Sequence, residues 1–297
     1  MTLAPGRVQP GREPEDTKAR STILTFQRRE IGTMQDHLET LTLDRPTEHV
    51  MVVTLNRPRV AHAINSRMME ELAWLWTSLS EDGGALRCVV LTGSGQRAFS
   101  AGADLKERDG LSTEAWRRQH AILERAVLAM SESPVPIIAA VNGAAYGGGC
   151  ELALLADFIY AARSARFALL EVTRGIIPGA GGTQNLPRIT GIGRAKEIIL
   201  TGRPFDAEEA MRWGIVNRVC EDERLMDEAL ATAHLIASNA PVAVRQARKA
   251  MEAARTSNFR AAYELEMTAY ERTIETDDRV EGTRAFNENR APDFKGR

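Results

Sequence analysis

Apolar, β-branched runs alternate with polar, turn-forming stretches from about residue 40 onward. Val50–Leu55 (VMVVTL), Cys88–Thr92 (CVVLT), Pro136–Val141 (PIIAAV) and Phe158–Ala162 (FIYAA) each predict a strand. The runs are nearly continuous, which is the pattern of strands covered on both faces. Between the first two, Met68, Leu72, Leu75 or Trp76, and Leu79 recur at helical spacing. Strand, turn, helix, strand is the order that builds a layered α/β architecture. After about residue 185 the strand runs fade and helices take over. Asp206 and Glu209 have capping-box spacing, and Gly214 closes the helix they open. Helical patterns follow at roughly 225–238, 241–256, 258–273 and 276–289. The organisation expected is a flexible polar tail over 1–35, an α/β core over 36–230 and a C-terminal helical section over 231–297. Pro5, Pro10 and Pro14 mark the tail, which has no sustained periodicity.

Composition narrows the classes. With 297 residues, 43% of them hydrophobic and 26% charged, the chain has ample material for a core. A net charge of −2 gives no global attraction to nucleic acid or an anionic membrane, so a phosphate-bearing ligand needs a local patch. Cys88, Cys150 and Cys220 lie far apart without C-x-x-C spacing, which fits inert packing in a reducing compartment. No apolar run approaches the ~20 residues of a membrane span. The N-terminus has no apolar stretch of the signal-peptide kind, and Glu13, Glu15 and Asp16 make it too acidic for a transit peptide. A cytoplasmic protein is expected, with no membrane or nucleic-acid partner. No ligand cluster with metal spacing appears, so neither a metal nor a redox cofactor is expected.

Two Gly-rich turns stand out, AFSAGADLKER (98–108) and VNGAAYGGGCELALLAD (141–157), each following a strand. Glycine lets a backbone approach a ligand closely, and a turn feeding a helix leaves free N–H groups pointing outward. Two such turns side by side supply one N–H each to a single oxyanion. The second turn is not a P-loop, since no Gly-Lys-Ser/Thr follows. Glu151 falls two residues after the triple glycine, in the first turn of a helix. Glu171 sits among Leu169, Leu170 and Val172, where a carboxylate is either a partnered core group or one with a raised pKa suited to proton transfer.

The stretches AFSAGADLKE, NGAAYGGGCELALLAD and LLEVTRGIIPGAGGTQNLPR closely resemble three signature segments of the crotonase (enoyl-CoA hydratase/isomerase) superfamily. NRPRVAHAIN (56–65) and EGTRAFNENRAPDFKG (281–296) resemble its N- and C-terminal signatures, and the likeness runs in order over roughly 38–297. The nearest branch is that of enoyl-CoA and methylglutaconyl-CoA hydratases. The resemblance implies a ββα spiral core with a C-terminal helical trimerisation section, assembled as a trimer or a dimer of trimers. It places an oxyanion hole on the backbone N–H groups of Ala103 and Gly148. It also implies that Glu151 and Glu171 act as the acid/base pair of an enoyl-CoA hydratase, Glu171 as donor to C2 and Glu151 orienting the water. Contacts to the CoA thioester substrate are implied for Ala103, Asp104, Leu105, Lys106, Gly179 and Arg59. Phe286, Phe294 and Lys295 are implied to close the CoA pocket, from the same or a neighbouring subunit.

Three alternatives stand beside that expectation. An isomerase needs only one of the two glutamates. One branch member binds RNA through a lysine-rich helix, but the matching segment 66–87 has no lysine and carries Glu70, Glu71, Glu81 and Asp82. A catalytically idle scaffold is disfavoured by the survival of both glutamates and both turns. His62 stands where the N-terminal signature commonly has Asn and reads as a structural residue. Leu169 and Leu170 replace a polar-plus-proline pair of short-chain hydratases, so the pocket beside the reacting carbons differs.

Overall fold

In the computed structural model, residues 38–81, 85–255 and 257–297 are described; the tail expected over 1–35 lies outside them. The four long apolar runs form strands, and they stand next to one another. In chain order the strands are β1 (Leu41–Thr47), β2 (Val50–Leu55), β3 (Cys88–Gly93), β4 (Ala98–Ser100), β5 (Ile137–Val141), β6 (Ala144–Tyr146), β7 (Phe158–Ala162), β8 (Arg166–Ala168), β9 (Phe205–Asp206) and β10 (Arg218–Cys220). The larger sheet has the order β1-β2-β3-β5-β7-β10. β1 is antiparallel to β2, and from β2 onward the pairings are parallel, with Val52 opposite Val90, Val90 opposite Ile138 and Ile138 opposite Phe158. Every side chain of β3 and β5 is buried. This is why those runs are continuously apolar instead of alternating.

The smaller sheet was not visible in the pattern. It has the order β4-β6-β8-β9, and β4, β6 and β8 are parallel strands of three residues each. Each follows a strand of the large sheet after a tight turn, so the chain repeats long strand, short strand, helix. Two close approaches make the step possible. A Cβ on Gly93 would lie 2.5 Å from the Ala98 oxygen, and one on Gly143 would lie 2.5 Å from the Arg97 oxygen. Asn142 stitches the corner, donating to the oxygens of Gly93 (2.9 Å), Gly95 (2.6 Å) and Ala98 (3.3 Å) while accepting from the Gly93 N–H. The Gly-rich turns expected directly after β3 and β5 therefore begin one short strand later.

The helices are α1 (Ser66–Glu81), the short α2 (Leu105–Arg108), α3 (Thr113–Ser131), α4 (Gly148–Leu154), α5 (Gly182–Thr190), α6 (Ile192–Thr201), α7 (Ala207–Arg212), α8 (Leu225–Ser238), α9 (Pro241–Ala253), α10 (Phe259–Ile274) and α11 (Asp277–Asn287). Asp206 and Glu209 form the expected capping box at the start of α7. The last four helices match the predicted spans to within a few residues. Strands do not end near residue 185, however. β9 and β10 lie beyond it, and β10 adds to the edge of the large sheet beside β7. α3 packs along α1 and was not foreseen.

Two buried carboxylates tie down the ends of this unit. Glu71 on α1 accepts the N–H groups of Glu39 (2.8 Å), Thr40 (3.0 Å) and Leu41 (3.1 Å), holding the start of β1. Asp278 on α11 accepts the N–H groups of Lys295 (2.7 Å) and Gly296 (2.8 Å). Arg87, just before β3, donates to the oxygens of Ala237 and Phe294, so the end of the chain is tied to the core. Cys88, Cys150 and Cys220 are buried free thiols; burial pushes Cys88 up to about 12 and raises the other two. No helix among the described residues is long and apolar enough to cross a membrane.

Candidate active site

The two Gly-rich turns lie against each other. Gly102, at φ +83°, is so close to the second turn that a Cβ there would sit 2.5 Å from the Tyr146 oxygen and 3.0 Å from the Gly148 nitrogen. The strand-like stretch between Ile64 and Ala103 fixes the first turn, since Ile64 N–H bonds to Gly102 O and Asp104 N–H to Ile64 O. A parallel bridge of that kind turns the Ala103 N–H to the opposite side. The Gly148 N–H is the first of α4 and has no intrahelical acceptor. Among the described residues neither N–H finds a partner. Both residues line one cavity of about 570 Å³.

Glu151 and Glu171 line the same cavity. Glu151 stands in the first turn of α4, is 3% exposed, and accepts the N–H groups of Ala180 and Gly182, each at 2.8 Å, through one oxygen. Burial raises its pKa against the pull of those N–H groups and that of Gly179. Gly182 is required there, because a Cβ would meet the Glu151 carboxyl oxygen at 3.0 Å. Glu171 opens a single 3₁₀ turn that follows β8. Its Oε2 is buried without a hydrogen-bond partner, and burial first, then the charge of Glu151, push the carboxyl up to about 7. Its other oxygen would lie 3.1 Å from a Cβ on Gly147, so the glycine keeps room beside it. Two carboxylates of different character thus face one space, one held by the amides of Ala180 and Gly182 and one with an oxygen left without a donor.

Other expected residues divide. Leu105 and Gly179 line the cavity with Ala103. Asp104 does not; it caps α2 and pairs with Arg57 at 2.9 Å, which lowers its pKa despite burial. Lys106 and Arg59 are exposed and stand outside the cavity lining. Phe286, 81% exposed, and Lys295 also lie away from the cavity of their own chain. Phe294 instead packs near Gly282. His62 is buried, accepts the Arg57 N–H at Nδ1 and donates from Nε2 to the Ser94 oxygen at 3.0 Å, as a satisfied structural histidine does.

Sequence reasoning missed one wall. Arg108 and the α3 residues Trp116, Arg117, His120 and Leu123 complete the cavity, facing Ile176, Ile177 and Pro178. His120 lies over Gly179, where a Cβ would meet its ring at 2.9 Å. The signal in α3 was weaker in its first half, where Arg117, Arg118, Gln119 and His120 follow one another. Among the described residues no group of His, Cys, Asp or Glu is arranged to hold a metal ion.

A ββα spiral with two N–H groups and acidic residues in one cavity is the crotonase fold. The sequence profile of the enoyl-CoA hydratase/isomerase family matches residues 45–297, and the chain belongs to that family. A short-chain-enoyl-CoA hydratase of Clostridium acetobutylicum is 39% identical over 249 residues, covering 84% of this chain and 95% of the relative. A crotonyl-CoA hydratase of Syntrophomonas wolfei is 38% identical over 247 residues, with coverages of 83% and 95%. The crystal structure of an enoyl-CoA hydratase from Bacillus anthracis superposes with a TM-score of 0.85 at 44% identity, over 87% of this chain and 100% of that one.

Proposed function

We infer that this chain is an enoyl-CoA hydratase, adding water across the C2=C3 bond of a 2-enoyl-CoA thioester. The observation that carries the reading is the meeting of Glu151, Glu171 and the free N–H groups of Ala103 and Gly148 at one cavity. The two N–H groups donate to the thioester oxygen and stabilise the charge it gains as C3 is attacked. Water oxygen bonds to C3, its proton passes to one carboxylate, and the other carboxyl gives a proton to C2. Glu171 suits the donor role, since a carboxyl titrating near 7 carries a proton to give. Glu151, pinned by two amides, suits the orientation of the water. The pair shares its protons, so the division describes the resting state. An isomerase moves one proton with one carboxylate; two in a single cavity favour hydration.

No metal or redox cofactor enters this reaction scheme; CoA is the handle of the substrate. Exposed Lys106 and Arg59 are in keeping with contacts to the outer, phosphate-bearing part of CoA. Assembly as a trimer or dimer of trimers is proposed with it, supported by the apolar groove between α9 and α10 with exposed Met251, Phe259 and Tyr270. Phe286 and Lys295 would then act on a neighbouring subunit's pocket. Three unpaired thiols support residence in the cytoplasm.

The direct test is loss of the enoyl-thioester absorbance on mixing with crotonyl-CoA. Glu151→Gln and Glu171→Gln are each expected to lower kcat by about 10²–10⁴-fold. Undiminished turnover in both variants refutes the assignment.

A further inference from the structure

The amide that Ala103 turns toward the cavity is held from behind by a turn outside the cavity lining. Residues 57–64 fold back on themselves between β2 and α1, and Ala61 and His62 both take left-handed backbone, at φ +49° and +54°. Two such residues in succession, neither a glycine, are costly and persist only where the surroundings over-determine them. Four hydrogen bonds leave this turn for residues 100–104. Ala61 O accepts the Ala101 N–H (2.8 Å) and His62 O accepts the Ser100 hydroxyl (2.8 Å). Ile64 N–H donates to Gly102 O (2.7 Å), and Ile64 O accepts the Asp104 N–H (3.0 Å). Ser100 Oγ in turn accepts the Gly102 N–H at 3.2 Å. These bonds flank Ala103 on both sides and leave its N–H alone. The Ile64 side chain also reaches the other half of the hole: a Cβ on Gly148 would lie 3.7 Å from Ile64 Cδ1 and 3.8 Å from the Ala103 nitrogen.

What closes the turn is the imidazole of His62, 2% exposed. Its Nδ1 accepts the Arg57 N–H at 2.9 Å, its Nε2 bonds to the Ser94 oxygen at 3.0 Å, and its backbone N–H donates to Arg57 O at 2.9 Å. A backbone N–H can only donate and a carbonyl can only accept, so these partners fix a neutral ring with its proton on Nε2. Burial lowers the pKa of His62, which keeps it in that form. The ring thus spans from the first residue of the turn to the residue that follows β3. Arg57 adds a second brace, its guanidinium donating to Ala63 O and to Asp104 Oδ2. An aliphatic side chain at position 62 offers neither ring bond and disfavours left-handed backbone, so the turn would relax and the 100–104 segment with it.

We propose that His62 is a positioning residue for the oxyanion hole: its ring holds the 57–64 turn in the form that aims the Ala103 N–H at the thioester oxygen. The inference rests on the oxyanion hole of the hydratase reading and adds the part that sets its geometry. A displacement of about 1 Å can forfeit on the order of 10²-fold in rate, so a residue that never touches substrate can govern kcat.

The test pairs crotonyl-CoA hydration with infrared difference spectra of butyryl-CoA carrying an isotope-labelled carbonyl, which binds without reacting. Wild type is expected to lower the thioester carbonyl stretch on binding, the mark of N–H donors on that oxygen. His62→Leu should lower kcat by about 10- to 100-fold, leave KM nearly unchanged and return the stretch toward its value in free butyryl-CoA. His62→Asn offers an amide oxygen to the Arg57 N–H and accepts left-handed backbone readily, so it should recover most of both. Ser100→Ala cuts the same chain at its middle link with little change in size. It should show the same split on a smaller scale, and it decides the matter if His62→Leu fails to fold. A loss of kcat in these variants with the bound stretch as low as in wild type overturns the proposal, since it marks a merely structural role. Unchanged kcat and stretch overturn it too. No shift in wild type removes the oxyanion hole and this inference with it. A chain that lowers the stretch, loses that effect in the variants and hydrates no enoyl-CoA keeps this inference and loses the hydratase assignment.

Discussion

Glu171 shows how a single carboxyl is tuned by what it lacks. With no donor on Oε2 and apolar neighbours, it holds its proton up to about pH 7, against an ordinary value of 4.5. Between those two values the folded chain is protonated there and the unfolded chain is ionised. Its contribution to stability therefore declines as pH rises from about 4.5 to about 7. Glu171→Gln removes that dependence. Its melting temperature should exceed that of wild type above pH 7, with the gap narrowing as pH falls toward 4.5, which parallel thermal scans across that range would read. The apolar setting of Glu171 was legible in the sequence, as was the place of Glu151 after three glycines. Arg108 was not. It stands in the charged run Lys106-Glu107-Arg108, where nothing in the pattern distinguishes the exposed lysine from the buried arginine. The difference comes from Trp116 and Gln119 on a helix whose packing the pattern did not reveal.

At the scale of elements, the juxtaposition of the two turns depends on Gly102. Its left-handed backbone and the 2.5 Å approach to the Tyr146 oxygen leave no room for a methyl group. Gly102→Ala is expected to cost about 2–5 kcal/mol from backbone strain and overpacking combined, measured by urea unfolding. It should also lower kcat at a temperature where the variant remains folded, because the Ala103 and Gly148 amides would be forced apart. The elements themselves were unevenly legible. Strands buried on both faces advertise themselves, so β2, β3, β5 and β7 were plain. β4, β6 and β8 have three residues each, too few for a period to show. α3 escaped although Leu123, Ala126, Val127 and Met130 recur along it at helical spacing; the polar run Arg117–His120 interrupts that stripe in its first half. Its partner α1 buries Met68, Met69, Leu72, Leu75 and Trp76 and announced itself.

At the scale of the whole molecule, an apolar face on α10 is left uncovered among the described residues. α10 buries Ala269 alone among its sixteen residues, while Phe259 is 85% exposed. A helix of this kind gains little stability within one chain, and in the proposed assembly a neighbour would bury it. Met251→Glu, placing a charge in the groove, should shift sedimentation from a trimeric or larger species to the monomer at micromolar concentration. A wild-type protein that sediments as a monomer would remove the assembly from the proposal.

The clasp of Asp278 on Lys295 and Gly296 has a bearing on where the chain can be shortened. Deleting those two residues removes both amides from a carboxyl that is 2% exposed, and with them the segment packed against the first turn of α11. The final residues therefore behave as a stopper for α11, and a truncation there would be felt as unfolding of that helix more than as loss of a frayed end.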